Sequence, residues 1–200
     1  EARQRLRREG RLQRAEHLGR HNKIVSVLRT DTLTQSTTGR QAAQVPLLVM
    51  EYVEHITLDD YLRRHGGAAP LDETFATMMG QLASALDWIH TNAPCIVHRD
   101  LAPHNILLRC TRDEEDSHLL VQRDDFVQFT DFGLAFVESE RRITQDDQYE
   151  RRRIAANLCY ASPEILYGEP PTAQDDIYSL GALTFCMFTG RLAFPSCPFR

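Results

Sequence analysis

Lysine is almost missing from this chain. Of its 23 basic residues only Lys23 is a lysine, and the rest are arginine, so any mechanism that needs a lysine ammonium has one candidate. The five cysteines (Cys95, Cys110, Cys159, Cys186 and Cys197) are odd in number and form no Cys-x-x-Cys pair, so a disulfide framework and a zinc knuckle both fit poorly and a reducing compartment is the default. Long apolar runs are also absent. The least polar stretch, Ile177 to Phe188, falls short of the roughly 18 residues a membrane span needs and contains Ser179 and Thr184. Neither sign of charge is gathered into a block: 23 basic residues face 28 acidic ones, net −5, so a nucleic-acid or membrane surface is not expected. There is no initiating Met, and the chain opens on Glu-Ala-Arg in a helical pattern and closes on Pro-Phe-Arg without a cap; it reads as a fragment. What is present, 42% hydrophobic and 26% charged residues over 200 positions, is the profile of one globular domain.

Periodicity supplies the elements. Ala2 to Leu18 favours a largely solvated helix with Leu6, Leu12 and Leu18 as a thin stripe. Ile24 to Leu28 and Val45 to Val53 read as buried strands of a hairpin whose polar loop runs from Thr30 to Gln44. Leu58 to Arg64 is a short helix ended by Gly66 and Gly67. Leu71, Phe75, Met78, Met79, Leu82, Leu86 and Ile89 recur at helical spacing behind Asp72 and Glu73, acids in the first turn where the helix dipole favours them. Short strands follow around Cys95 to Val97, Ile106 to Leu108 and Phe126 to Thr130, with an acidic insert at Asp113 to Asp116 that suits a solvated hairpin tip. These are small hairpins, not βαβ units. Ser139 to Arg153 is a polar loop, and Ala173 to Thr189 is an apolar helix able to be buried all round. Met78 and Met79 are core by default, and the cysteines suit small buried hydrophobes.

The chemistry lies between the strands. His98-Arg99-Asp100-Leu101-Ala102-Pro103-His104-Asn105 sets a carboxylate and a carboxamide five residues apart on one loop, and Asp131-Phe132-Gly133 ends the strand at Thr130, with a glycine that permits a sharp turn. With Tyr160-Ala161-Ser162-Pro163-Glu164 and Asp176-Ile177-Tyr178-Ser179-Leu180-Gly181 downstream, this order resembles the protein kinase family. Upstream, Arg20-His21-Asn22-Lys23-Ile24-Val25 is similar to that family's entry to a strand, and Val49-Met50-Glu51-Tyr52-Val53 to its hinge. A lone Asp-Phe-Gly or His-Arg-Asp is usually only a turn; their joint occurrence in this order is not a chance match.

The resemblance implies an α+β, two-lobe kinase-like fold: residues 1–53 as a partial small lobe, and 54–200 as a mainly helical large lobe truncated after its first long buried helix. It also implies transfer of the ATP γ-phosphate to Ser or Thr hydroxyls of a protein substrate, with ATP and Mg²⁺ as cofactors, in the cytoplasm. Phosphoryl transfer asks the protein chiefly to align the hydroxyl and neutralise developing charge. Carried over by position, Asp100 orients the hydroxyl and accepts its proton, Asn105 and Asp131 hold Mg²⁺ through hard oxygen ligands, and Arg99 faces a phosphorylated activation segment in which Ser139, Thr144 and Tyr149 are the hydroxyls. Met50 is the gatekeeper beside adenine, Glu51 and Val53 offer it backbone hydrogen bonds, and Leu107 packs beneath it. Glu9, with Glu16 as competitor, stands for the helix glutamate that pairs with the strand lysine. Asp176 is expected to hold the catalytic-loop backbone, and His98 to pack.

Departures from the family pattern are specific. The glycine-rich phosphate loop and the strand lysine are not found, and Lys23 follows the first helix where the family lysine precedes it; weak or no ATP turnover is expected of these 200 residues alone. Ala102 replaces the lysine that serine/threonine kinases carry near the transferred phosphate, and Asn157 replaces a threonine that contacts the same loop, two losses in one small network. Pro103 and the Tyr-Ala-Ser-Pro-Glu segment favour the Ser/Thr side over the Tyr side. Rival readings are a catalytically silent kinase-fold binding module and a small-molecule phosphotransferase. The arginine bias hints at a GC-rich genome such as a bacterium's.

Overall fold

The computed structural model describes residues 21–35, 43–91, 95–112, 117–132, 135–137 and 157–195. The expected helix at 2–18 with Glu9 and Glu16, Gly133, the insert at 113–116 and the polar stretch at 139–153 with Ser139, Thr144 and Tyr149 lie outside them.

Strands β1 (Val27–Gln35) and β2 (Ala43–Met50) form an antiparallel hairpin in register from Val27↔Met50 to Gln35↔Ala43, with a bulge between Val27 and Arg29. Its strands run well into what the sequence pattern assigned to loop. Thr30, Thr32 and Thr34 are β-branched, and a half-exposed hairpin takes them as readily as apolar residues, so polarity misjudged the length. Ile24 makes only a single parallel bridge, to Phe129.

Below the hairpin, β3 (His55–Thr57) leads into α1 (Leu58–Arg64), whose bounds match the sequence reading. Thr57 caps it, its Oγ1 accepting from Asp60 N–H at 3.0 Å. Gly66 and Gly67 follow with φ of 74° and 102°, the left-handed region where a side chain is strained. Helix α2 (Glu73–Thr91) starts behind Asp72, whose Oδ1 accepts from Phe75 N–H at 3.2 Å. Leu71 precedes the helix and is exposed, while Met78, Leu82, Ala85, Leu86 and Ile89 form one buried face, flanked by partly buried Phe75 and Met79.

Strand β4 (Ile96–Val97) runs into the loop that starts at His98 and pairs antiparallel with β8 (Phe136–Val137). The central strand is β5 (Ile106–Arg112). Its first half lies between β3 and β7 (Val127–Phe129), with Leu108 opposite both Ile56 and Val127; its second half pairs with β6 (Ser117–Leu119) as the two arms of the hairpin expected around the acidic insert. Being covered on both faces, β5 is apolar throughout its start: Ile106, Leu107 and Leu108 are all buried.

Two C-terminal helices complete the described residues. Helix α3 (Pro163–Tyr167) is capped by Ser162, and α4 (Ala173–Thr189) begins with a capping box in which Thr172 and Asp175 satisfy each other's backbone N–H groups. Among the described residues α4 is not buried all round. Asp176, Ser179, Ala182, Leu183 and Met187 face inward, while Ile177, Phe185 and Phe188 are exposed, because the described elements pack against one side of the helix only. Its end meets the α1 turn closely: a Cβ on Gly190 (φ 68°) would lie 3.4 Å from the carbonyl carbon of Gly67, and Ala69 N–H donates to Met187 C=O at 2.7 Å.

One apolar core joins α2, the β5 and β7 strands, and α4, with Phe126, Phe129 and Phe132 among its largest members. Of the cysteines Cys110 is buried as expected, whereas Cys95, Cys159 and Cys186 are only half-buried, and Cys197 lies outside the described residues. Among the described residues no helix is long and apolar enough to cross a membrane.

Candidate active site

The loop from His98 to Asn105 has almost no strand or helix of its own, so its buried backbone donors need partners from elsewhere. Asp176, fully buried near the start of α4, supplies them: Oδ2 accepts from His98 N–H at 2.7 Å and Oδ1 from Arg99 N–H at 2.9 Å. His90 Nε2, at the end of α2, makes a third hydrogen bond to Oδ2 at 2.8 Å. A carboxylate has no proton to give, so the imidazole nitrogen is the donor. One side chain thus ties α2, the loop and α4 together.

The clamp holds unusual backbone. Arg99 has φ 67° and Asp131 φ 58°, left-handed conformations that cost a non-glycine residue about 1–2 kcal/mol each. Such cost is sustained only where surrounding bonds over-determine the geometry. For Arg99 the bond to Asp176 is one of these. His98 packs, as expected, in contact with the rings of Phe129 (5.6 Å between centroids) and Phe132 (4.5 Å), and its Nδ1 accepts from Asp100 N–H at 3.3 Å.

Asp100 is 3% exposed and Asn105 is equally buried. A 3₁₀ turn at Pro103–Asn105 folds the chain back so that Asn105 Nδ2 donates to Asp100 C=O at 2.8 Å. Only the NH₂ end of the carboxamide can donate to a carbonyl, so its Oδ1 points the other way as an acceptor. The β5–β7 ladder then sets Asp131 nearby: Ile106 pairs with Phe129, and Thr130 N–H donates to Asn105 C=O at 3.1 Å, one residue before Asp131. The sequence-predicted trio Asp100, Asn105 and Asp131 is therefore brought to one place by a loop clamp and a strand pair. Asn157 joins it, since its Nδ2 donates to Asp100 Oδ1 at 2.5 Å. The threonine-to-asparagine change is thus no loss of contact with the loop.

The residues expected at the hinge lie where β2 ends and in the chain that follows it. Val53 and Leu107 are buried with Val25 in a small apolar cluster of their own. Met50 ends β2 and is 38% exposed. Glu51 N–H is taken by Ser26 C=O at 2.9 Å, and Val53 C=O by His55 Nδ1 at 2.6 Å. Arg99 is half-buried beside the trio, and Glu9 lies outside the described residues.

Sequence reasoning passed over His90. Its signal was present: Leu82, Leu86 and His90 are spaced four apart, so a polar residue continues the buried stripe of α2. It also passed over the buried pair in which Ser162 Oγ donates to Asp175 Oδ1, joining the Ser-Pro-Glu segment to α4.

Oxygen donors of this kind suit a hard cation. One carboxamide oxygen and one carboxylate match Mg²⁺, which keeps several waters or phosphate oxygens and needs few protein ligands. No cluster of three or more His, Cys, Asp or Glu side chains able to hold a metal is found among the described residues, so a softer or fully protein-caged ion has no such cluster there.

Comparison with known proteins agrees with the geometry. The sequence profile of the protein kinase domain matches residues 2–198. The chain is 35% identical over 147 residues to the serine/threonine-protein kinase PrkC of Bacillus subtilis, across 74% of this chain and 19% of that protein. It is 35% identical over 178 residues to the serine/threonine-protein kinase PknK of Mycobacterium tuberculosis, across 88% of this chain and 13% of that protein. With the probable serine/threonine-protein kinase PknB of Lactococcus lactis the identity is 32% over 148 residues, 74% of this chain and 20% of the relative. The chain spans a fifth or less of the length of these relatives.

Proposed function

Because the chain belongs to the protein kinase family, we propose that the protein transfers the γ-phosphate of ATP to Ser or Thr hydroxyls of other proteins. The observation that carries this reading is the Asp176 clamp, which presents buried Asp100 beside Asn105 and the Asp131 turn. A division into a partial small lobe (1–53) and a partial large lobe (54–200), and a cytoplasmic location where ATP is supplied, belong to the same proposal.

Asp100 orients the substrate hydroxyl and takes its proton as the new O–P bond forms and the bond from the γ-phosphorus to the bridging oxygen breaks, releasing ADP. Asn105 Oδ1 and the Asp131 carboxylate would hold Mg²⁺, which would supply positive charge against the phosphate oxygens. Val25, Val53 and Leu107, with Met50 beside them, would receive the adenine, and Glu51 C=O and Val53 N–H would be its backbone partners. Val53 and Leu107 pack together in one small apolar cluster with Val25, which supports their assignment to that wall. Arg99 faces the activation segment and pairs with it once a hydroxyl there is phosphorylated. Glu9 is proposed to pair with a lysine supplied upstream of these residues.

The test is phosphate transfer from Mg·ATP to a generic protein acceptor by the full-length protein, followed by phosphoamino-acid analysis. Phosphoserine or phosphothreonine that disappears when Mg²⁺ is chelated is the expected result. No transfer, or phosphotyrosine alone, refutes the reading.

A further inference from the structure

A buried carboxamide stands beside the apolar wall assigned to the adenine. Gln128 on β7 lies opposite Leu107 on β5 and is 2% exposed, and cross-strand partners share one face of a sheet. Leu107 packs there with Val25 and Val53. Burying an amide costs free energy unless its hydrogen bonds are made, and a leucine would fill the position without that cost. The reason for a glutamine lies in what its two ends hold.

Its oxygen and its nitrogen reach different elements. Arg109, two residues beyond Leu107 and so on the same face of β5, donates from Nη2 to Gln128 Oε1 at 3.2 Å and is itself paired with Asp125 at 3.1 Å. A guanidinium only donates, so this contact fixes which end of the carboxamide is the oxygen. The NH₂ end donates to Asn22 C=O at 2.8 Å. Asn22 belongs to a stretch with no ladder and only a single bridge, in which Phe129 N–H donates to Lys23 C=O at 2.9 Å and Val25 N–H to Phe129 C=O at 3.0 Å. At one end of this stretch the His21 ring stacks on Trp88 of α2, with 4.7 Å between centroids; at the other, Ser26 C=O accepts from Glu51 N–H just past β2. Val25 is the side chain by which the stretch joins the wall.

We propose that Gln128 is a positioning residue for the adenine wall: its carboxamide, oriented by Arg109 and Asp125, holds the chain at Asn22 so that Val25 keeps its place against Leu107 and Val53. The proposal rests on the nucleotide reading of that wall. Asp131 follows Gln128 by three residues, so one run of chain carries both the carboxylate proposed for Mg²⁺ and the tie that shapes the adenine side. Loosening the tie leaves Asp100, Asn105 and Asp131 with their own bonds. It lowers the fraction of molecules whose wall is formed, and nucleotide affinity falls in proportion to that fraction.

Two variants of the full-length protein test this. Gln128→Leu keeps the size and removes both bonds. Gln128→Glu keeps an acceptor for Arg109, whose charge holds the new carboxyl ionised, and so has no proton to donate to Asn22 C=O. Each should raise KM for Mg·ATP, and its Kd by calorimetry, about three- to tenfold, the scale of one neutral hydrogen bond, with kcat within about twofold of the parent. Because Gln128 acts through Val25, the rise in KM for Gln128→Glu combined with Val25→Ala should be smaller than the product of the two single changes. Hydrogen–deuterium exchange of the peptide at 21–27, measured without nucleotide, should rise in Gln128→Glu. Unchanged affinity, a loss in kcat without one in KM, a fully multiplicative double variant or unchanged exchange each overturns the proposal. A parent that binds no Mg·ATP refutes the nucleotide reading and the proposal together. A parent that binds Mg·ATP no more tightly than its Gln128 variants refutes the proposal alone.

Discussion

The loop at 98–105 and the β1–β2 hairpin are built on opposite plans. The hairpin holds itself by a continuous backbone ladder from Val27↔Met50 to Gln35↔Ala43, and Leu28 and Leu33 on it are more than half exposed. The loop has no ladder; buried His98, Asp100 and Asn105 are held by side chains that arrive from positions as distant as Asp176 and Asn157. Backbone ladders accept many sequences, whereas a loop held by side chains depends on particular ones. Tolerance should therefore be high in the hairpin and low around the loop.

Asp176→Ala should have the largest effect on stability. It leaves His98 N–H, Arg99 N–H and His90 without their shared acceptor, a loss of about 3–5 kcal/mol for a buried charge with its partners, measured by denaturant unfolding. Ser162→Ala should cost less, about 1–2 kcal/mol, because it removes a helix cap and a buried hydroxyl bond to Asp175 together. An unfolding midpoint equal to the parent's in either variant would break the contrast with the hairpin.

Asp125 offers a pH-dependent test. Its carboxyl is held below its ordinary value of 3.8, first by the hydrogen bond from Arg123 and further by the charge of Arg109. A depressed carboxylate stabilises the fold above its unfolded value, and the contribution is lost as pH falls through the lower folded value. Asp125→Asn should thus lower stability slightly near neutral pH, and the difference from the parent should close as pH falls below 3.8. A gap that widens on acidification would reverse the assignment. At the small end, Leu33→Ser should change stability by no more than about 0.5 kcal/mol, as expected for an exposed position, and a larger loss would show that the hairpin is covered by something beyond its own ladder.

The same contrast explains what could be read from the chain before its structure. That Asp100, Asn105 and Asp131 come together, with Asp176 on the loop backbone, was legible because their motifs follow in the order of the family they resemble. Helix α1 was legible because Thr57, Asp59 and Asp60 mark its start and Gly66 and Gly67 its end. The strands of the hairpin were misjudged because Thr30 to Gln35 satisfy a ladder without being apolar. The exposed flank of α4 was misjudged because Ile177, Phe185 and Phe188 look like core in a one-dimensional pattern, which cannot say what packs against them. Asn157 read as a loss because it replaces a threonine, yet its carboxamide still donates to Asp100 Oδ1, which the change of residue type alone does not reveal.

The most direct test of the whole account is phosphate transfer by the full-length protein carrying Asp100→Asn, with its unfolding midpoint measured on the same sample. The Asp176 clamp is untouched and an asparagine keeps an oxygen to accept from Asn157, so the variant should remain folded while kcat falls by about 10²–10⁴-fold, the scale of general-base catalysis. Undiminished transfer by a folded Asp100→Asn protein would contradict the assignment of this carboxylate, and with it the mechanism built on the loop.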